Sequence, residues 1–167
     1  MEMERIGFLG LGAMGGPIAT RMADWAQRNP GKRVLVFDPR PGAMQRAAEA
    51  GAEAMNSVAA VAAQCSVVFA CLPSAETSER VALGAEGIAG MPGAIRTYIE
   101  MSTIGSAAMQ RIAMGLTERG ITLIDSPISG GVPGAESGAL AVIASGAPET
   151  LRQVMPLLQV VGHTVFT

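Results

Sequence analysis

Short apolar runs alternate with longer stretches of helical periodicity along the whole chain. The runs Val67–Leu72 and Ile121–Ile124 are almost entirely apolar, which is typical of strands that are covered on both faces. The pattern predicts strands at Arg5–Leu9, Val34–Asp38, Ala52–Ala54, Ser66–Leu72, Thr97–Met101, Thr122–Asp125 and Leu140–Ala144.

Helices are predicted between these strands. The first covers Met14–Arg28, where Ile18, Met22, Trp25 and Ala26 recur at helical spacing. The others are Pro41–Ala50, ended by Gly51; Val58–Gln64, capped by Ser57; a helix capped by Ser106 that runs to Arg119 and is ended by Gly120; and Pro148–Leu158.

The alternating order of strands and helices predicts an α/β fold. We expect a Rossmann-like, doubly wound and mainly parallel sheet with helices on both faces. The chain has 167 residues, 49% of them hydrophobic, so one domain spanning residues 1–167 can bury a core of its own.

Composition and charge narrow the possible partners. The net charge of −2 provides no basic surface for nucleic acid or for an anionic membrane. No apolar run is long enough to span a membrane, and the short, charged start Met1–Arg5 does not resemble a signal peptide. Cys65 and Cys71 form no CxxC pair and are interpreted as reduced thiols, which predicts a cytoplasmic location. We assign no metal site.

A glycine-rich turn follows the first predicted strand. It reads Gly10-Leu11-Gly12-Ala13-Met14-Gly15, a GxGxxG motif between a strand and a helix. In that context Gly10 permits the tight turn, Gly12 lets a pyrophosphate approach the backbone, and Gly15 lets the helix pack close to the strand. The N-terminus of the helix presents free N–H groups to the phosphates. The alternative is a glycine-rich turn in an unrelated α/β protein.

Asp38 ends the second predicted strand, 23 residues after Gly15. A carboxylate there can accept hydrogen bonds from the adenosine ribose and repels a 2′-phosphate, which favours NAD over NADP. Arg40 is two residues away and could favour NADP or lie over the adenine. The alternative role for Asp38 is to cap its own loop.

Two later strand ends are further candidates for cofactor contacts. Ligands of doubly wound sheets collect at the carboxyl ends of the strands, which places Leu72, Pro73 and Thr103 near the cofactor. We add Thr77, which follows the first of these strand ends. A proline turn and a serine/threonine turn remain as alternatives at these positions.

The segment Asp125-Ser126-Pro127-Ile128-Ser129-Gly130-Gly131 combines a hydroxyl with two amides that carry no side chain. A loop of this composition can donate hydrogen bonds to a carboxylate or a developing oxyanion. A plain glycine turn is the alternative.

Taken together, these motifs resemble the β-hydroxyacid dehydrogenases, the group that contains 3-hydroxyisobutyrate dehydrogenase and tartronate semialdehyde reductase. The resemblance covers essentially the whole chain, from Gly7–Gly15 through Leu72-Pro73 and Ser102-Thr103 to Asp125–Gly131. Glu100, where the family commonly has Asp, and Ser145-Gly146, where it commonly has two glycines, depart mildly from its pattern.

The resemblance implies hydride transfer between a nicotinamide and a small hydroxy acid or semialdehyde. Ser129, Gly130 and Gly131 would then hold the substrate, and Leu72, Pro73 and Thr103 would contact the nicotinamide half of NAD. It also implies a homo-oligomer for a full-length protein, because family members associate through a second, all-helical domain.

The family's catalytic Lys is expected beyond Thr167. The chain's one lysine, Lys32, lies in a turn remote from the site, and its one histidine, His163, is expected to be structural or exposed. We therefore expect the cofactor-binding part of a longer enzyme, which binds NAD and turns over very slowly or not at all. A non-catalytic dinucleotide-binding module, a relative of imine reductases and a relative of 6-phosphogluconate dehydrogenases remain as alternatives.

Overall fold

A computed structural model describes residues 4–90 and 92–167. The segment Met1–Arg5, which the sequence analysis distinguished from a signal peptide, lies mostly outside the described residues. Within them the elements follow in the order β1 (Arg5–Leu9), α1 (Gly15–Gln27), β2 (Arg33–Phe37), α2 (Gln45–Glu49), β3 (Glu53–Ala54), α3 (Val58–Gln64), β4 (Val67–Ala70), α4 (Ala75–Leu83), β5 (Thr97–Glu100), α5 (Ser106–Thr117), β6 (Thr122–Asp125), β7 (Ile128–Ser129), α6 (Gly131–Ser137), β8 (Ala141–Ile143), α7 (Pro148–Val161) and β9 (Thr164–Phe166).

The first six strands form one parallel sheet in the order β3-β2-β1-β4-β5-β6. The order reverses direction beside β1, because β2 lies on one side of it and β4 on the other. In open α/β sheets, ligands bind outside the carboxyl ends of the strands at such a reversal. The predicted fold class is confirmed.

Helices cover both faces of this sheet. Buried side chains of α1, α2 and α7 pack on one face, around Ile6, Phe8 and Phe69. Buried side chains of α3, α4 and α5 pack on the other, around Val68 and Tyr98. Both faces of the central strands are therefore apolar, which explains why their sequences read as continuous hydrophobic runs.

A second, three-stranded sheet in the order β7-β8-β9 was not predicted. Its strand β7 has only two residues and β9 only three, too short for a recognisable period. β8 lies within the predicted strand Leu140–Ala144 but belongs to this sheet. A bridge between Asp125 and Ser145 joins the sheet to the end of β6.

Helices α4 and α6 were missed, and two helix ends were misplaced. Ser74 caps α4 by accepting a hydrogen bond from the Thr77 N–H at 3.2 Å. The prediction that Ser106 caps α5 was wrong, because Gly105 occupies the N-cap with φ 81° and Ser106 is the first helical residue. The last helix continues beyond Leu158, and Pro156 lies inside it.

Other boundaries differ by a few residues. α2 covers only Gln45–Glu49 of the predicted Pro41–Ala50, and α5 ends at Thr117, before Arg119. The cap at Ser57 is confirmed by a 3.0 Å hydrogen bond from the Ala60 N–H to Ser57 Oγ. In the described part of the chain, no helix combines the length and apolarity needed to cross a membrane.

Candidate functional site

The chain turns sharply at Gly10, directly after β1. Gly10 has φ 85°, in the left-handed region that disfavours residues with a side chain. Its N–H donates to the Phe37 carbonyl at 3.0 Å, and a Cβ there would lie 2.3 Å from the Cys71 carbonyl oxygen. The predicted tight turn is present, and both its conformation and its surroundings require glycine.

The other two glycines of the motif have different surroundings. A Cβ on Gly15 would lie 1.9 Å from the Gly10 carbonyl oxygen, so the first turn of α1 packs directly on the strand end. A Cβ on Gly12 would meet only the Arg40 guanidinium, at 3.8 Å. Gly12 thus presents bare backbone to open space, as the approach of a pyrophosphate requires.

The start of α1 supplies unpaired hydrogen-bond donors. Within the described residues, the N–H groups of Gly12, Ala13 and Met14 make no hydrogen bond. The helix behind them has 13 residues, so its dipole adds a partial positive charge at this end. Donors and dipole together fit a phosphate-containing ligand.

Asp38 follows the last residue of β2, and its carboxylate is 4% exposed. One oxygen accepts from the Leu11 N–H at 2.8 Å, and the other accepts from the Arg40 N–H at 2.9 Å. The Arg40 guanidinium adds two hydrogen bonds of 2.9 Å, one to each oxygen. The hydrogen bonds from Arg40, more than any other contact, lower the pKa of Asp38 from 3.8 to about 2.

These contacts give Asp38 the loop-capping role that the sequence left as an alternative. Four hydrogen bonds occupy the carboxylate, so a ribose hydroxyl can bind it only in place of a contact from Arg40, whose side chain is 63% exposed. Arg40 Nη2 binds Asp38 and lies 3.8 Å from the position that a Cβ on Gly12 would take, so Arg40 lies between Asp38 and the open backbone at Gly12.

On the other side of β1, a buried polar group lies beneath the ends of β4 and β5. Glu100 is fully buried, and Ser102 donates its N–H to Glu100 Oε1 at 3.0 Å. Ser102 Oγ in turn accepts the Leu72 N–H at 2.7 Å. Burial raises the pKa of Glu100, and hydrogen bonds from Ser102 act against that shift.

A cleft of about 1220 Å³ runs along these strand ends. Ten of the predicted cofactor contacts line it: Gly10, Gly12, Ala13, Met14, Gly15, Asp38, Arg40, Leu72, Pro73 and Thr77. Leu11 lies beneath the cleft and reaches Asp38 through its N–H, and Thr103 is exposed outside the lining. The structure thus brings together residues that are up to 67 positions apart, from Gly10 to Thr77.

Several lining residues were not predicted. They come from α3 and its cap, from α4, and from the turn after α4: Asn56, Ser57, Val58, Arg80, Val81, Gly84, Ala85, Glu86 and Gly87. Ser74 is an N-cap residue that could have revealed α4, and with it Arg80 and Val81, one turn beyond Thr77.

The candidate substrate segment is more regular than the predicted loop. Ser129 ends β7, Gly130 is the N-cap of α6 with φ 137°, and Gly131 opens α6 with φ 63°. All three residues are exposed, and none lines the cleft. They follow β6, whose carboxyl end faces the same edge of the sheet as the cleft.

Of the remaining candidate groups, Lys32, His163 and Cys65 lie outside the lining of the cleft, whereas Cys71 is part of it. Lys32 precedes β2, at the opposite end of that strand from Asp38, and His163 is exposed between α7 and β9. Both cysteines are free. Burial raises the pKa of Cys65 to about 12 and that of Cys71, which lines the cleft, to about 11.

Comparisons with known proteins identify a matching family of NAD-binding domains and related dehydrogenases. The family model described as the NAD binding domain of 6-phosphogluconate dehydrogenase matches residues 5–167. A 3-hydroxyisobutyrate dehydrogenase from Pseudomonas aeruginosa is 35% identical over 98% of this chain and 53% of its own length. The chain thus spans about half the length of this relative.

Solved structures also match this chain over nearly its whole length. A Mycobacterium tuberculosis 3-hydroxyisobutyrate dehydrogenase with L-serine matches with a TM-score of 0.85 and 30% identity, over 99% of this chain and 54% of that one. The structure of Psf3 in complex with NADP+ and 2-OPP matches with a TM-score of 0.83 and 28% identity, over 96% and 55%.

Proposed function

The chain belongs to the family of NAD-binding domains described for 6-phosphogluconate dehydrogenase, and on this premise we propose that its cleft holds a nicotinamide dinucleotide for an oxidoreductase that acts on small hydroxy acids or semialdehydes. The observation that carries the proposal is the unpaired N–H groups around Gly12, which open into the cleft.

In this proposal the dinucleotide lies in one direction across the strand ends, and the positions of the lining residues support that direction. The pyrophosphate fits over β1 at Gly12, and the adenosine ribose fits over β2 at Asp38. The nicotinamide half then extends to the other side of β1, over β4 and β5, where Leu72 and Pro73 form the wall. Thr103 follows β5 at the end of this path.

The preferred cofactor in this proposal is NAD. Asp38 stays ionised at neutral pH, and its buried negative charge disfavours a 2′-phosphate close by. Arg40 and Arg80 both line the cleft and soften this preference, so NADP is expected to bind more weakly rather than not at all.

When bound, the nicotinamide supplies or accepts the hydride. The residues of this chain bind and orient it: apolar side chains such as Leu72 exclude water, and the glycine turn fixes the pyrophosphate. Ser129, Gly130 and Gly131 are our candidates for holding the substrate carboxylate or hydroxyl, because they follow the end of β6 at the same edge of the sheet.

General acid–base chemistry is expected to be poor in this chain alone. The described residues that line the cleft include neither Lys nor His. Lys32 and Asp38 bracket β2, and at about 3.3 Å per residue they are roughly 20 Å apart. The same observation favours a second candidate function, a dinucleotide-binding module without catalysis.

Calorimetric titration of this chain with NAD, NADP and ADP-ribose tests the binding proposal. We expect all three to bind and NAD to bind more tightly than NADP. Absence of binding by all three would refute the proposal, and tighter binding of NADP would refute the role given to Asp38.

An absorbance assay of NADH formation separates the two candidate functions. Suitable substrates are 3-hydroxyisobutyrate, glycerate, 4-hydroxybutyrate and L-serine. Slow but measurable turnover that disappears in the Ser129→Ala variant supports the oxidoreductase. Tight NAD binding without turnover on any of them is expected of the module and equally of an oxidoreductase domain that lacks a general acid–base group of its own, so only measurable turnover discriminates between the two.

A further inference from the structure

Glu100 is an acidic side chain buried without a basic partner. It is fully buried at the end of β5, and no ion pair among the described residues includes it. Burying a carboxyl group is costly unless its oxygens accept hydrogen bonds. The donors that face it therefore indicate what it does.

Two donors face the carboxyl group, and one of them connects it to the cleft. Tyr98 Oη donates to Glu100 Oε2 at 3.4 Å, and the Ser102 N–H donates to Glu100 Oε1 at 3.0 Å. The Ser102 hydroxyl accepts the Leu72 N–H at 2.7 Å. The carboxyl group thus fixes the backbone of Ser102, and the side chain of Ser102 in turn holds Leu72.

Leu72 is the point at which the chain leaves the sheet. The Cys71 N–H still donates to the Leu9 carbonyl at 2.9 Å, as in a strand, whereas the Leu72 N–H is held by a side chain. Pro73 has no N–H to give. The position of the Leu72–Pro73 wall therefore depends on Ser102, and through Ser102 on Glu100.

We propose that Glu100 is a positioning residue for the nicotinamide half of the cofactor, because through Ser102 it holds the Leu72 amide and so sets the Leu72–Pro73 wall of the cleft. The inference rests on the proposed function, which places the adenosine half over β2 and the nicotinamide half over β4 and β5. It predicts that loss of Glu100 affects one half of the dinucleotide and spares the other.

The Glu100→Met variant tests this, because it keeps the length of the side chain and removes both acceptor oxygens. We expect it to bind NADH about three- to tenfold more weakly than the wild type, the effect of about one lost hydrogen bond. ADP-ribose, which lacks the nicotinamide, should bind within about twofold of the wild-type value. If the role of Glu100 were purely structural, the variant would bind NADH and ADP-ribose more weakly by the same factor, and that result would overturn the proposal. Unchanged binding of NADH would also overturn it.

Three further variants check the pathway through Ser102. Ser102→Ala should reproduce the selective loss, and the double variant should be no worse than either single one, because both remove the same link. Glu100→Gln keeps one acceptor oxygen for Ser102 and should stay within about twofold of the wild type for both ligands. Additive losses, or a loss in Glu100→Gln as large as that in Glu100→Met, would overturn the proposal.

ADP-ribose also separates this inference from the proposed function. If the wild-type chain binds neither ligand, the proposed function fails. If the wild type binds both ligands and Glu100→Met still binds NADH normally, only the role of Glu100 fails. Binding of ADP-ribose by each variant also shows that its β1–β2 half is folded.

Discussion

Arg40 binds the Asp38 carboxylate at two points, with Nε and Nη2 each 2.9 Å from a different oxygen. Asp38 is buried at the end of β2, whereas the Arg40 side chain is 63% exposed. The pair therefore joins a buried carboxylate to an exposed guanidinium. Both residues line the cleft, so the pair bears directly on the choice of cofactor.

The first prediction concerns this choice. Arg40→Ala removes the guanidinium nearest to a 2′-phosphate and leaves the negative charge of Asp38 in place. We expect the affinity for NADP to fall about tenfold, in line with the loss of a charge-assisted hydrogen bond, and the affinity for NAD to change by less than about threefold. Titration of the wild type and of Arg40→Ala with NAD and with NADP measures the ratio of the two affinities in each protein.

Arg46→Ala is the matched control, because Arg46 is an exposed arginine on α2 outside the lining of the cleft. It removes the same charge, and its NADP to NAD ratio should equal that of the wild type. An equal loss of NADP in both variants would mean that overall charge, and not the position of Arg40, governs binding of the 2′-phosphate.

The second prediction concerns acid stability. The folded pKa of Asp38, about 2, lies below the ordinary value of 3.8. The stabilisation is therefore fully present above about pH 4 and is lost as the pH falls towards 2. The shift corresponds to about 2 kcal/mol, and solvent screening at the exposed Arg40 reduces the expected contribution to about 1 kcal/mol.

Urea unfolding of the wild type and of Asp38→Asn, each at pH 6 and at pH 2.5, measures this contribution. The wild type should exceed the variant in free energy of unfolding at pH 6, and the difference should shrink at pH 2.5. A difference that stays the same at both values would show that the ionised form of Asp38 does not stabilise the fold.

The sequence predicted the central sheet because its strands are covered on both faces, which leaves uninterrupted runs such as Val67–Leu72. It also predicted the conformation at Gly10 and the close packing at Gly15, since a strand followed by GxGxxG and a helix has few geometries. The ten predicted residues that line the cleft follow from the same rule about strand ends.

Some of the parts that were not predicted depend on contacts that are distant in sequence, whereas the cap of α4 at Ser74 is a local signal. The two residues of β7 form a strand only because β8 pairs with them. Gly105 rather than Ser106 caps α5, although serine is the commoner cap, because the chain needs φ 81° there. The link from Glu100 through Ser102 to Leu72 crosses 30 positions, and no local pattern announces it.

The third prediction concerns the two thiols. Both cysteines have a raised pKa, so both are protonated at pH 8 and should react slowly with iodoacetamide. Cys65 is fully buried, whereas Cys71 is half-buried and lines the cleft. Cys71 should therefore be alkylated first, and saturating NAD should slow its reaction. Peptide mass spectrometry distinguishes the two sites.

Cys65 serves as the internal reference, because its modification requires local or global opening of the fold. If NAD slows both cysteines equally, the cofactor acts by stabilising the whole chain. If NAD leaves Cys71 unprotected, the proposed path of the dinucleotide past the end of β4 is wrong.

The fourth prediction separates two glycines of the same motif. In Gly15→Ala the new Cβ would lie 1.9 Å from the Gly10 carbonyl oxygen, so α1 must shift away from β1. We expect the free energy of unfolding to fall by about 1–3 kcal/mol, the usual cost of an overpacked site. In Gly12→Ala the Cβ would meet no atom closer than Arg40 Nη2 at 3.8 Å, so the free energy of unfolding should change by less than about 0.5 kcal/mol.

Cofactor binding should rank the two variants in the opposite order, with the larger loss of affinity in Gly12→Ala. The Gly12→Ala methyl group would occupy the space over the unpaired N–H groups, so the affinity for NAD and for ADP-ribose should fall at least about tenfold while the fold remains intact. Gly42→Ala is the control, because a Cβ there meets nothing within 4 Å and Gly42 lies outside the lining of the cleft. Both its stability and its binding should match the wild type. If Gly12→Ala also binds as the wild type does, the pyrophosphate does not approach Gly12, and the proposed placement of the cofactor over β1 must be abandoned.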